Sequence, residues 1–323
     1  MRSHCCILMI TCTFCLQSIS LHGQSTDKIA IDKDIIYGHA GGVDLKLDIG
    51  KPDGPGPFPV VLFFHGGGWQ QGDKSHMHRW IRQFVAKGYV GVSVGYRFAP
   101  RFKWPSQVED AKQAVRYLRA HADSLHIDPK RISAMGESAG AYLALMLGVT
   151  APKDSLEGQT NLPQYSSKVQ AVVSYFSATD FTLRGPPLTP ALEAAIQQYY
   201  KKSLKEVRAD FTGASSLDDP ILKKISVLHY VDKTDDASVL IFHGDQDPYA
   251  SIEHAYRLHT ALDSAHVPNQ LIIVKGGGHG WIGELESKTT MQMFEFFDRR
   301  MKGYGCKFFN VCLPGKCLWL YFR

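Results

Sequence analysis

From Val60 onward the sequence alternates short, unbroken apolar runs with segments of helical period, a rhythm that few folds accommodate. The runs PVVLFFH and YVGVSVGYR are continuous enough to read as strands buried on both faces, and RISAMG, VQAVVSYFS, SVLIFHG and QLIIVKGGG supply four more strands. Between the first two, HMHRWIRQFVAKG sets Trp80, Ile81, Phe84 and Val85 at helical spacing and stops at Gly88. SQVEDAKQAVRYLRAHADSL repeats the pattern with Val108, Ala111, Val115 and Leu118 on one stripe, and IEHAYRLHTALDSA supplies another helix. Strands alternating with helices predict an α/β domain, a mostly parallel central sheet with helices on both faces. Upstream, DIIYG and VDLKLDIGKP predict an antiparallel hairpin turning at Gly41 and Gly42. The rhythm breaks only between about Asp180 and Asp236, where RGPPLTP is irregular and LTPALEAAIQQYYKKSLKEV is helical. Residues 180–236 therefore read as a small helical cap inserted over the sheet edge.

The ends differ from this body. The first 20 residues carry one basic residue, about a dozen apolar ones and then Ser18 and Ser20, the pattern of a secretory signal peptide and too short for a membrane-spanning helix. A secreted or periplasmic location follows as the expectation, with a retained anchor as the alternative. Residues 21–305 are expected to form the main α/β domain, and 306–323, cysteine-rich and aromatic, form a tail of no evident role. All 7 cysteines lie in the two ends, so residues 16–305 have no disulfide or thiolate ligand, and any nucleophile there is oxygen or nitrogen. The formal charge of +5 falls to about +1 once Arg2, Lys307, Lys316 and Arg323 are set aside. With no basic cluster, no nucleic-acid or anionic-membrane partner is expected. No stable membrane insertion is expected either, and the sequence does not set an oligomeric state.

The stretch RISAMGESAGAYLALMLG puts Ser138 between Gly136 and Gly140, where a strand turns into a helix. Glycine costs roughly 1 kcal/mol against alanine in a helix, so helix stability did not select this pair. A tight strand-to-helix elbow did: it exposes a serine hydroxyl above the sheet, with the helix N-terminus favouring negative charge beside it. An ordinary helix cap is the bland alternative. A nucleophilic serine needs a base, and His279 in VKGGGHGW stands directly after a strand in a glycine loop. His76, His78, His121 and His126 read as solvated, and His229 and His259 lack the glycine context. The carboxylate that fixes the imidazole is sought in LIFHGDQDPYA, where Asp247 is preferred and Asp245 is assigned to closing the turn. Turn formation by both is the alternative. In FFHGGGW, bare amides at Gly66 and Gly67, with that of Ala139, can receive an oxyanion; a merely flexible loop is the other reading. A phosphate cradle is disfavoured because no Lys-Ser/Thr follows the glycines.

In this order HGGGW, YRFAP, GESAG, HGDQD and GGGHGW resemble the α/β-hydrolase fold, specifically esterases of the hormone-sensitive-lipase-like and carbohydrate-esterase-like type, over most of residues 35–300. The resemblance implies Ser138 as nucleophile, Asp247 as acid, His279 as base and Gly66, Gly67 and Ala139 as oxyanion donors, the residues already reached, and it implies a structural role for Asp110. Trp69 and the following QQGDKS resemble secreted esterases of acylated plant polysaccharides, whereas HGDQDPYAS lacks the valine and proline that often follow the acid. The expectation is a secreted serine esterase acting through an acyl-enzyme, without metal or cofactor, on a small-molecule or glycan-linked ester such as an acetyl or feruloyl ester. Trp69 and Trp281 are candidates for the pocket wall. The alternatives are an arylformamidase or peptidase-type amide hydrolase and, in a different class, a non-catalytic receptor-like domain.

Overall fold

The computed structural model describes residues 29–184, 188–303, 308–313 and 316–321; the expected signal peptide lies outside the described residues. Eight strands form one sheet in the order β1-β2-β4-β3-β5-β6-β7-β8. The hairpin of β1 (Asp32–Ala40) and β2 (Val43–Gly50) is antiparallel, as is the β2–β4 contact. The remaining strands, β3 (Phe58–Phe64), β4 (Val90–Val94), β5 (Ile127–Glu137), β6 (Ala171–Tyr175), β7 (Ser238–Gly244) and β8 (Asn269–Val274), are parallel.

Alternation along β3 explains why its run is continuously apolar. Val60, Leu62 and Phe64 enter the core beneath α2 (Ser106–Ala120), α4 (Ala139–Val149) and α8 (Glu253–Ser264), while Val61 and Phe63 enter a second core beneath α1 (His78–Val85) and α9 (Glu284–Met301). Both faces of the central strands are thereby removed from water, the main stabilising term of the fold. The chain passes from β3 to β4 on one side and returns to β5 on the other, so the strand order reverses between β3 and β5. Register places Phe64 beside Gly136, Glu137 beside Tyr175 and Gly244 beside Val274. The loops carrying Gly66, Ser138, Asp247 and His279 thus leave one rim of the sheet, flanking the switch point where open α/β sheets bind ligands.

Two expected helices are each divided. The segment 106–125 stops at Ala120 and resumes as α3 (Ala122–Leu125), because His121 leaves helical geometry. In the insertion, α5 (Pro190–Tyr200) ends on left-handed Lys201, and α6 (Leu204–Thr212) restarts from a reciprocal Ser203/Glu206 capping box. The short α7 (Ile221–Ile225) leads back to β7. In the tail, β9 (Phe308–Leu313) and β10 (Lys316–Tyr321) pair antiparallel with Cys312 opposite Cys317. Among the described residues no helix is long and apolar enough to cross a membrane.

Candidate active site

The elbow is built on close approach. A Cβ at Gly136 would lie 2.2 Å from the Gly140 backbone, and one at Gly140 would lie 2.1 Å from the Phe64 carbonyl oxygen. Only glycine lets α4 start this close to β3 and β5. The geometry forces Ser138 to φ 53°, ψ −118°, a conformation costing on the order of 1–3 kcal/mol that the surrounding sheet must hold. Its amide is secured by donation to the Tyr175 carbonyl at 2.9 Å.

Three rim loops meet at this hydroxyl. His279 Nδ1 lies 2.8 Å from Asp247 Oδ2, and His279 Nε2 lies 2.8 Å from Ser138 Oγ. A carboxylate only accepts, so Nδ1 carries the proton and Nε2 is left to accept from the serine. The Asp247 side chain is fully buried, and its Oδ1 accepts from the amides of Tyr249 and Ala250 at 2.8 and 2.9 Å. Burial alone raises its pKa. Hydrogen bonds from His243 and His279, the charge of His279 and the Ala250 amide outweigh burial and hold the carboxyl well below its ordinary range. His243, buried at the end of β7, donates from Nε2 to the Ala250 carbonyl at 2.8 Å and lies 3.4 Å from Asp247 Oδ2. Asp245 accepts from the Gly276 amide at 2.7 Å, joining the acid loop to the base loop.

Beside the elbow, the loop after β3 presents the Gly66 and Gly67 amides, for which no protein acceptor is found among the described residues. A Cβ at Gly66 would come within 3.4 Å of Ser138 Cβ, so the loop lies against the nucleophile turn. Ala139 contributes the first amide of α4, one of the donors a helix leaves unpaired. The buried imidazole of His65 orients the loop: Nδ1 donates to the Gly66 carbonyl at 2.6 Å while the ring stacks on Tyr96 at 4.6 Å. Because that carbonyl and the Gly67 N–H share one peptide plane, fixing one fixes the other. Burial drives the His65 pKa down to about 4, so the ring is neutral. One residue run later, Arg97 is clamped by Asp110, which accepts from its amide and its Nε at 2.9 Å.

The cavity above Ser138, about 540 Å³, is bounded on one side by the cap residues Ile196, Tyr199, Tyr200, Leu204 and Val207. On the other side lie Arg79, Trp80, Glu137, Trp281 and Glu286. Both tryptophans singled out in the sequence border it, with different duties. Trp69 is 7% exposed and stacked on Phe211 of α6 at 4.0 Å, so its ring is spent on fastening the cap to the body. Trp281 is half-buried, donates to Thr289 at 2.9 Å and leans on Phe176. The ionic wall had no sequence signal: Arg79 pairs with both Glu137 and Glu286, and Trp80 donates to Glu137 at 2.9 Å. His78 is not solvated as expected; it lies 2.7 Å from the buried carboxylate of Asp48. Among the described residues no cluster of three potential metal ligands occurs.

Sheet order, elbow and a hydrogen-bonded Ser–His–Asp relay on the strand-end rim define an α/β-hydrolase fold of the serine-hydrolase type. Within that class the chain belongs to the BD-FAE family, an α/β-hydrolase esterase family whose profile matches residues 47–262. It is 32% identical over 175 residues to LipM of Mycobacterium tuberculosis, a probable carboxylic ester hydrolase; the match covers 52% of this chain and only 40% of LipM. Among solved structures it resembles a truncated carbohydrate esterase from gut microbiota (TM-score 0.69, 25% identity, covering 86% of this chain and 99% of that one). It also resembles Thermogutta terrifontis esterase 2 phosphonylated by sarin (TM-score 0.69, 25% identity, covering 86% and 97%).

Proposed function

We propose that the protein is a secreted serine carboxylesterase that hydrolyses carboxylic esters through an acyl-enzyme. One observation carries the reading: Ser138 Oγ, His279 Nε2 and Asp247 are joined in an unbroken relay, each link 2.8 Å, beside the unpartnered Gly66 and Gly67 amides. In this mechanism His279 takes the Ser138 proton as the hydroxyl oxygen attacks the ester carbonyl. The Gly66, Gly67 and Ala139 amides receive the oxyanion. Collapse expels the alcohol, protonated by the His279 imidazolium that Asp247 stabilises, and a water activated by the same imidazole then releases the acid. A glycan-linked acetyl or feruloyl ester is the proposed substrate. The resemblance to a carbohydrate esterase supports it, as does a cavity wall that mixes aromatic faces with phenol hydroxyls and carboxylates.

Labelling with a fluorophosphonate tests the nucleophile, since phosphonylation is recorded for the esterase 2 relative. The protein should be labelled and Ser138→Ala should not; equal labelling of both would refute the role of Ser138. Turnover of p-nitrophenyl acetate and acetylated xylan, with N-formylkynurenine as the amide comparison, tests the bond cleaved. Activity on the formamide alone would replace the esterase with an arylformamidase.

A further inference from the structure

The cap ends α5 on Tyr200, and that ring lies directly over the loop that carries the Gly66 and Gly67 amides. A Cβ at Gly68 would meet Tyr200 Cε1 and Oη, each at 2.9 Å, and Gly68 has φ +61°, so both the space and the backbone there exclude a side chain. The loop therefore gives up a side chain where the tyrosine sits. Packing alone accounts for the ring and leaves the hydroxyl unexplained. Among the described residues no hydrogen bond to the Tyr200 hydroxyl is found, although the side chain is half-buried and borders the cavity that holds Ser138 and His279. The hydroxyl is open to the cavity rather than sealed, so a substrate oxygen can take the place of water on it.

The side of the cavity decides which part of the substrate that is. The leaving oxygen must stand within reach of His279, because His279 returns the proton to it. The Tyr249 ring packs on the His279 imidazole with centroids 5.2 Å apart. Tyr200 in turn lies within the electrostatic reach of Tyr249 and Tyr199. All three phenols line the cavity that holds Ser138 and His279, with Tyr249 against the imidazole that protonates the leaving alcohol. Burial, reinforced by those two neighbours, pushes the Tyr200 phenol up to about 12, so it keeps its proton at neutral pH and can donate.

We infer that Tyr200 is a specificity-determining residue, its hydroxyl donating a hydrogen bond to a hydroxyl or ether oxygen of a polyhydroxylated alcohol part, so that the cap selects esters of polyols over esters of plain alkanols. The inference rests on the ester-hydrolase reading. Tyr200→Phe removes the donor and leaves the ring on Gly68, so packing survives and the melting temperature should not change. The test compares kcat/KM on glycerol monoacetate with that on propyl acetate, whose three-carbon alcohol lacks hydroxyls. Loss of one neutral hydrogen bond predicts a drop of roughly three- to tenfold on the glycerol ester, chiefly in KM, and a change under about twofold on propyl acetate. An equal drop on both esters, no drop on the glycerol ester, or an unaltered protein that hydrolyses propyl acetate alone would overturn the inference. If the unaltered protein hydrolyses neither ester yet turns over p-nitrophenyl acetate or acetylated xylan, the inference falls and the hydrolase reading stands; if it hydrolyses none of the four and takes no fluorophosphonate label, the hydrolase reading falls first.

Discussion

The two walls of the cavity are made of different material. On the rim the reacting groups are carried by anchored main chain and buried partners: the Ser138 amide on the Tyr175 carbonyl, the Asp247 carboxylate under the Tyr249 and Ala250 amides, the Gly66 carbonyl on His65. The cap faces the same cavity with exposed Tyr199 and with a Tyr200 phenol that has no protein partner among the described residues, while its footing combines the stack of Trp69 on Phe211 with donation from Gln70 to the Val207 carbonyl and from the Trp104 amide to the Phe211 carbonyl. Hydrogen bonds of fixed direction hold the reacting atoms of the rim, whereas the cavity-facing rings of Tyr199 and Tyr200 have no such tie among the described residues. Bond cleavage is therefore expected to depend on the rim, and the choice of ester on the cap.

The sharpest way to break this division is at the rim. Asp247→Asn keeps the shape of the acid but lets its amide face His279 Nδ1 in the wrong tautomer, so kcat should fall by about three to four orders of magnitude. A loss below tenfold, measured by initial rates on p-nitrophenyl acetate, would mean that Asp247 does not orient the base. Next in size is the cap anchor. Trp69→Ala removes a buried indole wedged among Phe211, Tyr142 and Phe181, and should cost about 3–5 kcal/mol in denaturant unfolding. In the molecules that stay folded KM should rise more than kcat falls; the reverse pattern would place the cap in the chemistry.

The smallest effect sharpens the comparison through pH. His65 is 1% exposed and its pKa in the fold is lowered to about 4. Between the unfolded value near 6.5 and that of the fold, the unfolded chain binds the extra proton, so stability falls as pH drops through this window and is fully present above it. The contribution is on the order of 3 kcal/mol. Asp247 acts lower: its depressed carboxyl contributes stability above its unfolded value near 4 and loses it as pH falls further. Melting temperature recorded from pH 7 to pH 4 should therefore decline, and the decline should be shallower in His65→Gln. Equal slopes would remove the buried imidazole from the account.

How much of this was legible in the sequence follows the same division. Six apolar runs became six parallel strands, five of them because burial on both faces demands an unbroken apolar run and β8 as the partly exposed edge, and Gly136 and Gly140 marked the elbow because no other residue fits there. Asp245 and Asp247 could be ranked from their distance to the turn. The rest depended on contacts between distant segments. Arg79 meets Glu286 across 207 residues, and no local pattern announces it. His243 looked like the end of a buried strand, and its place behind the acid needed the loop to curl back. In the cap, LTPALEAAIQQYYKKSLKEV has helical period throughout, so the left-handed break at Lys201 and the position of Tyr200 over Gly68 were hidden within it.

The segment following β3 faces two ways: its first glycines lie beside Ser138, and the next residues hold the insertion, Trp69 by stacking on Phe211 and Gln70 by donation to the Val207 carbonyl at 2.8 Å. Transplanting a foreign lid onto this body is consequently not a modular exchange. Any graft that shifts the lid's footing also drags on the amides meant for the anionic intermediate, so altered selectivity and diminished turnover are inherited together unless the five residues from Gly66 to Gln70 are redesigned with it.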